Sequence, residues 1–248
     1  MKTYLISGAG SGIGNAIVEQ LASEGHHCIL LGRSEKSLAE TLSNIPGKHQ
    51  ILTTDIRSIE SLQESVESLD SQKLDGIIAN AGIGGENYWG NDDRWNDIVN
   101  TNLTGTYNMV NTFLPALRSS DTPFKQIIIT SSVLARLGVA NYSAYCASKA
   151  GLLGLMRAWA IEFALENILV NAICPGWVDT QMSQAGMQGI AESLGITKAE
   201  FQSMAMKSVP LGKMSQPEEV AGLVSYLLQQ QSITGQTIDI NNGAVMNS

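Results

Sequence analysis

Thr3-Tyr4-Leu5-Ile6-Ser7-Gly8-Ala9-Gly10-Ser11-Gly12-Ile13-Gly14 stands at the start of the chain, and its reading decides the fold. Residues 3–7 read as a short strand. The glycine-rich turn follows, and an apolar-periodic helix then runs to about Ser23. Strand, glycine turn and helix form the phosphate-binding opening of a dinucleotide fold. Glycines allow the tight turn and the close approach of a pyrophosphate, and the helix N-terminus offers free N–H groups and a positive dipole. The spacing discriminates further. A GxGxxG pattern from Gly8 needs glycine at position 13, where Ile13 stands, whereas Gly8, Gly12 and Gly14 fit G-x-x-x-G-x-G.

Outward from this stretch, strands alternate with helices. Strands are expected at about 28–32, 50–54, 75–79, 125–131, 168–174 and 236–240. Helices are expected at 58–69, 93–118, from Tyr145 to about 166, and from Pro217 onward. Such alternation predicts one doubly wound α/β domain over residues 1–248, a parallel sheet of about seven strands with helices on both faces. Ligands should then gather at the carboxyl ends of the strands. Gly32-Arg33 follow the second strand, where an acidic side chain would bind the ribose of NAD. Arg33 instead suits a 2′-phosphate, so NADP(H) is expected over NAD(H), a solvated loop arginine being the plainer alternative. Asp55 and Asn80-Ala81-Gly82 fall at the ends of the next two strands. From the residues alone they serve equally as cap and turn residues.

Composition narrows the function. The 248 residues carry 15 basic and 23 acidic side chains, a net charge of −8, with no basic stripe. No nucleic-acid partner is therefore expected. Cys28, Cys146 and Cys174 show no CxxC spacing, and His26, His27 and His49 no ligand spacing. Reduced thiols, a cytoplasmic location and no metal are expected. No run approaches a membrane span, and the opening residues, read as strand and turn, show no n-region or h-region, so no signal peptide is expected. The helix from Tyr145 continues as Leu152 to Ile161, apolar nearly all round. With the stripe Leu103, Tyr107, Val110, Leu114 and Leu117 on the preceding helix, it predicts a homo-oligomer, tetramer or dimer, or else burial within one subunit.

Tyr145 and Lys149 stand four apart on a helix, phenol beside ammonium. An isolated phenol keeps its proton to about pH 10. A nearby positive charge favours phenolate and so prepares a proton donor to a carbonyl oxygen. As an isolated pair they also arise by chance.

Taken together these motifs resemble the classical short-chain dehydrogenase/reductase family across essentially the whole chain. The family's TGxxxGIG loop is matched by Ser7 through Gly14, with serine for threonine. Its NNAG turn is matched by Ala79 through Gly82, with one asparagine lost, and its catalytic tyrosine and lysine by Tyr145 and Lys149. The resemblance implies a Rossmann-type fold and a catalytic set of Asn102, Ser132, Tyr145 and Lys149. Ser132 and Tyr145 would bond the carbonyl oxygen, Lys149 the nicotinamide ribose, and Asn102 a water linking Lys149 to solvent. Cofactor contacts are implied at Gly8, Ser11, Gly12, Ile13 and Gly14, at Arg33, Asp55 and Ile56, and at Asn80, Ala81 and Gly82. Pro175, Gly176, Val178 and Thr180 would meet the nicotinamide end.

The implied activity is hydride transfer between a nicotinamide cofactor and a small-molecule ketone or secondary alcohol. The stretches around Pro175 and Val209 look most like 3-oxoacyl reductases and polyketide ketoreductases. An NAD-dependent hydroxybutyrate or sugar-alcohol dehydrogenase is the second reading, and a non-catalytic NADP-binding module the third. Substrate choice is expected to lie in loop 83–92 and in 181–209, a methionine-bearing segment read as a helical lid. The net charge disfavours an acidic carrier as the substrate's bearer.

Overall fold

The computed structural model describes residues 1–69 and 73–246. After β1 (Thr3–Ser7) and α1 (Gly12–Ser23) come β2 (His27–Gly32) and α2 (Glu35–Ser43), then β3 (Gln50–Thr53) and α3 (Ile59–Glu67). β4 (Gly76–Ala79) leads through a loop to α4 (Trp95–Val99) and α5 (Gly105–Arg118), and β5 (Lys125–Thr130) to α6 (Ser143–Glu162). β6 (Ile168–Pro175) precedes α7 (Gln181–Leu194), α8 (Lys198–Lys207) and α9 (Pro217–Leu228), and β7 (Thr237–Ile240) ends the sheet.

All seven strands pair in parallel in the order β3-β2-β1-β4-β5-β6-β7. Strand side chains alternate between faces, and the core divides accordingly. Leu5, Ile29, Ile77 and Ile127 pack with α3, α5 and α6 through Leu62, Phe113, Met156 and Trp159. Tyr4, Ile6, Leu30 and Ile128 pack on the other face with α1 and α9 through Ile17, Leu21, Val220 and Val224. Each such aliphatic side chain contributes roughly 1.5–3 kcal/mol by leaving water. The sheet is coated on both sides, which is why its strands read as continuous apolar runs. This is a Rossmann-type fold, and its order reverses between β1 and β4, opening a crevice at their carboxyl ends.

Three local features depart from the sequence expectation. α2 has no counterpart in that reading. It buries only Leu38 and Thr41, and is held by Ser34, which accepts from the Ser37 N–H. The helix expected over 93–118 is divided by a π-helical turn at Asn100–Thr104, whose one wider turn re-aims Asn102. Segment 181–209 forms two helices. Gly195, at φ 67°, ends α7, and a Thr197–Glu200 capping box starts α8. Among the described residues no helix is long and apolar enough to cross a membrane.

Candidate active site

Ser7 ends β1 and stitches the crevice together. Its Oγ accepts from the backbone N–H groups of Asn80 and Ala81, each at 3.0 Å, and Asn80 Nδ2 donates to the Ser7 carbonyl at 3.2 Å. The loop then turns through Gly8 at φ 67°, which only glycine adopts cheaply. A Cβ on Gly14 would lie 2.0 Å from the Gly8 carbonyl oxygen, so the loop is closed on itself. Ser11 caps α1 in an extended conformation without a side-chain hydrogen bond, and the helix has no acidic residue in its first turn. Its N–H groups therefore stay available to an anion in the cavity of about 460 Å³ that Ser11, Gly12 and Ile13 line.

At the other side of Gly8 a second cavity of about 240 Å³ holds Gly10, Arg33, Asp55 and Ile56. Arg33 is exposed at its rim. Asp55 binds Arg57 through Nη2 at 2.7 Å and accepts from the Arg57 N–H at 3.0 Å. That partnership holds its carboxyl below the usual carboxylate range, with Arg33 a lesser influence. Ala81, Gly82 and Ile83 line both cavities, which lie side by side at the switch point.

The larger cavity ends at Ser132, Tyr145 and Lys149. Ser132 caps a short 3-10 turn, Val133–Ala135, accepting from the Leu134 N–H at 3.1 Å. Ser131 Oγ donates to the Lys149 carbonyl at 2.8 Å and so pins α6 to β5. Lys149, 4% exposed, donates from Nζ to the Thr130 carbonyl at 2.9 Å, and its Nζ stands 5.6 Å from the Tyr145 ring centre. Burial pulls the ammonium down to about 8 and pushes the Tyr145 phenol up, while a hydrogen bond with Ser132 pulls the phenol down. The expectation of a phenol lowered by its lysine is thus corrected for the protein alone, because desolvation penalises both charged forms.

Asn102 is fully buried and stands behind the cavity. Its Oδ1 accepts from the Ile83 N–H at 2.8 Å, and its Nδ2 donates to the Ile83 carbonyl at 3.0 Å and to Ser148 Oγ at 3.1 Å. These bonds brace the loop after β4 against α6. Pro175, Gly176, Val178 and Thr180 line the same cavity. Thr180 caps α7, and its Cγ2 lies 3.1 Å from where a Gly12 Cβ would stand. The expected residues thus fall in two groups that share Gly8, Ser11, Ala81 and Gly82. Arg33, Asp55 and Ile56 line the smaller cavity, Ser132, Tyr145, Lys149, Pro175, Gly176, Val178 and Thr180 the larger, and Asn102 lines neither. Ile83 and Met182, from the two segments expected to choose the substrate, line the larger cavity, whereas the bonds made by Ser7 and Ser131 were not anticipated. Ser7 acts across 73 residues and Ser131 across 18, and bonds of that span leave no local signal.

The donor set fits a nicotinamide dinucleotide: unclaimed helix N–H groups for phosphate, a guanidinium beyond them, and an apolar-walled end with hydroxyl, phenol and ammonium. Among the described residues no group of three or more His, Cys, Asp or Glu is placed to hold a metal ion. The model of the short chain dehydrogenase family matches residues 2–190. The 3-oxoacyl-acyl-carrier-protein reductase of Haemophilus influenzae is 33% identical over 250 residues, covering 98% of this chain and 97% of that protein. The corresponding protein of Vibrio harveyi is 30% identical, with 99% and 98% covered. Among solved structures, a variant actinorhodin polyketide ketoreductase with NADPH superposes with a TM-score of 0.91 at 30% identity, covering 98% and 97%. Levodione reductase gives 0.90 at 25% identity, covering 98% and 96%.

Proposed function

The chain belongs to the short-chain dehydrogenase family, as an NAD(P)-dependent oxidoreductase acting on CH–OH groups, and on that premise we propose that it reduces a 3-oxoacyl-type or other small ketone with NADPH. The observation that carries this reading is the single crevice joining the uncapped α1 N-terminus to Ser132, Tyr145 and Lys149. The cofactor, when bound, supplies hydride to the carbonyl carbon.

The chain's own residues do the rest. Ser132 Oγ and the Tyr145 phenol bond the carbonyl oxygen and stabilise its developing charge. The phenol, held protonated by burial, gives its proton to that oxygen. Lys149 contributes positive charge beside the phenol and a donor toward ribose hydroxyls. Gly8, Gly12 and Gly14 let the backbone approach the pyrophosphate, and Arg33 meets the 2′-phosphate. Asp55 and Ile56 would hold the adenine end, and Asn80, Ala81 and Gly82 would contact the cofactor between the two cavities. Pro175 through Thr180 close the nicotinamide end. Asn102 positions Gly82 and Ile83.

Helices α7 and α8 act as a substrate lid within one domain, since Met182 lines the cavity beside Gly84 and Trp177 meets Phe201 edge-on. A free or CoA-linked substrate is favoured over a carrier-bound one, because a net charge of −8 repels an acidic carrier. A homo-oligomer, tetramer or dimer, forms through the apolar groove of Leu103 in the π-helical turn, Tyr107 on α5, and Gly154 and Leu155 on α6. The three free thiols suit a reducing, cytoplasmic setting. The test is oxidation of NADPH, with NADH in parallel, against small ketones and free, CoA-linked and carrier-linked β-keto thioesters. Turnover of β-keto substrates with NADPH supports the reading. Turnover confined to sugar alcohols or hydroxybutyrate with NAD contradicts it, as does cofactor binding without any turnover.

A further inference from the structure

Tyr145 occupies the third position of α6, in the turn whose N–H groups have no acceptor inside the helix. Tyr142, at the N-cap, gives no side-chain cap. The acceptor comes from 57 residues upstream. Asn87, buried in the loop between β4 and α4, accepts from the Ala144 N–H through Oδ1 at 2.9 Å. Ser143 Oγ lies 3.2 Å from that Oδ1 and 3.1 Å from Nδ2. Nδ2 also donates to Asp93 Oδ1 at 3.2 Å, the same oxygen that accepts from the Trp95 N–H as α4 begins. The Asn87 backbone N–H donates to the Asn141 carbonyl at 2.7 Å. One amide thus ties together the loop, the start of α4 and the first turn of α6.

We propose that Asn87 is a positioning residue for Tyr145, fixing the phenol against Ser132 through the first turn of α6. The inference rests on the reading of Tyr145 as proton donor. The loop it belongs to faces the substrate end: a Cβ on Gly84 would lie 3.8 Å from Tyr145 Cε2 and 3.5 Å from Met182 Sδ. Asn87 therefore couples the loop beside the phenol to the phenol's own placement. Lys149, one turn further along, is held separately by Ser131 and Thr130. Loss of the Asn87 amide should shift Tyr145 and leave the lysine and the cofactor crevice in place.

The test is steady-state turnover of the holoenzyme with NADPH and a ketone it accepts, alongside NADPH affinity by fluorescence. Asn87→Ala should lower kcat about 10–100-fold, the scale of a misplaced catalytic group, with NADPH Kd within about twofold. Exchanging the two partners, Asn87→Asp with Asp93→Asn, restores an acceptor for Ala144 and a donor between loop and α4, and should return kcat to within about threefold. Asn87→Ser, polar but too short to reach Ala144, serves if the alanine variant does not fold. Unchanged kcat, or kcat and NADPH affinity lost together without rescue by the exchange, would overturn the proposal. Tyr145→Phe is run beside these. If it keeps turnover, the reading of Tyr145 has failed, while faster amide exchange at Ala144 and Tyr145 in Asn87→Ala still decides whether Asn87 holds that turn.

Discussion

Replacing Lys149 with methionine should make the cofactor-free protein more stable while abolishing its activity. The lysine is 4% exposed, and its ammonium donates to the Thr130 carbonyl at 2.9 Å. Burial takes it from its ordinary 10.5 to about 8. At roughly 1.4 kcal/mol per pH unit, carrying the charge below pH 8 costs the native state about 3 kcal/mol. Methionine fills a similar volume without charge, and losing the bond to Thr130 costs about 1 kcal/mol. The variant should gain about 2 kcal/mol near pH 7, or roughly 4–8 °C in Tm for a chain of this size. The sign with pH follows from the lowered value. Native protein sheds this proton before unfolded protein does, so wild-type stability rises relative to the variant from about pH 8 to about 10.5. The gain should therefore be complete below pH 8 and fade above it. Thermal unfolding of both proteins at several pH values reads this directly. A variant less stable than wild type near pH 7, or an advantage that does not change with pH, would refute the reasoning.

Two further perturbations address the cofactor crevice. Arg33→Ala should weaken NADPH about tenfold or more and leave NADH nearly unchanged, since a charge-assisted bond to phosphate contributes about 1.5–3 kcal/mol; an unaltered preference between the two would remove the 2′-phosphate argument. Gly14→Ala would press a Cβ to 2.0 Å from the Gly8 carbonyl and 2.8 Å from Asn80 Nδ2. It should lower stability by about 1–3 kcal/mol and weaken cofactor binding, whereas Gly222→Ala, whose Cβ meets nothing within 4 Å, should do neither.

Much of the fold was legible because the sheet is buried on both faces. Its strands are apolar runs, and the turn from Ser7 to Gly14 states its own backbone requirement. Helix α2 was not legible, since it is short, polar in composition and buries only Leu38 and Thr41. The break at Asn100–Thr104 was hidden for the opposite reason: the apolar stripe of α5 runs up to it, and a π turn needs no particular residue type. At the site, the spacing of Tyr145 and Lys149 was plain. Their electrostatic balance was not, because it is set by how deeply both are buried. Ser7 and Asn87 act through bonds to residues 73 and 57 positions away, a relation that only the folded chain makes visible.

The central claim is that the Tyr145 phenol hands a proton to a carbonyl oxygen in a crevice that binds the cofactor independently of it. Its most direct test is Tyr145→Phe, with NADPH affinity and ketone turnover measured on the same preparation. Removing a single proton-transferring group should lower turnover by about 10²–10⁴-fold or more, with NADPH Kd within about twofold of wild type. Turnover retained within about tenfold would contradict the account.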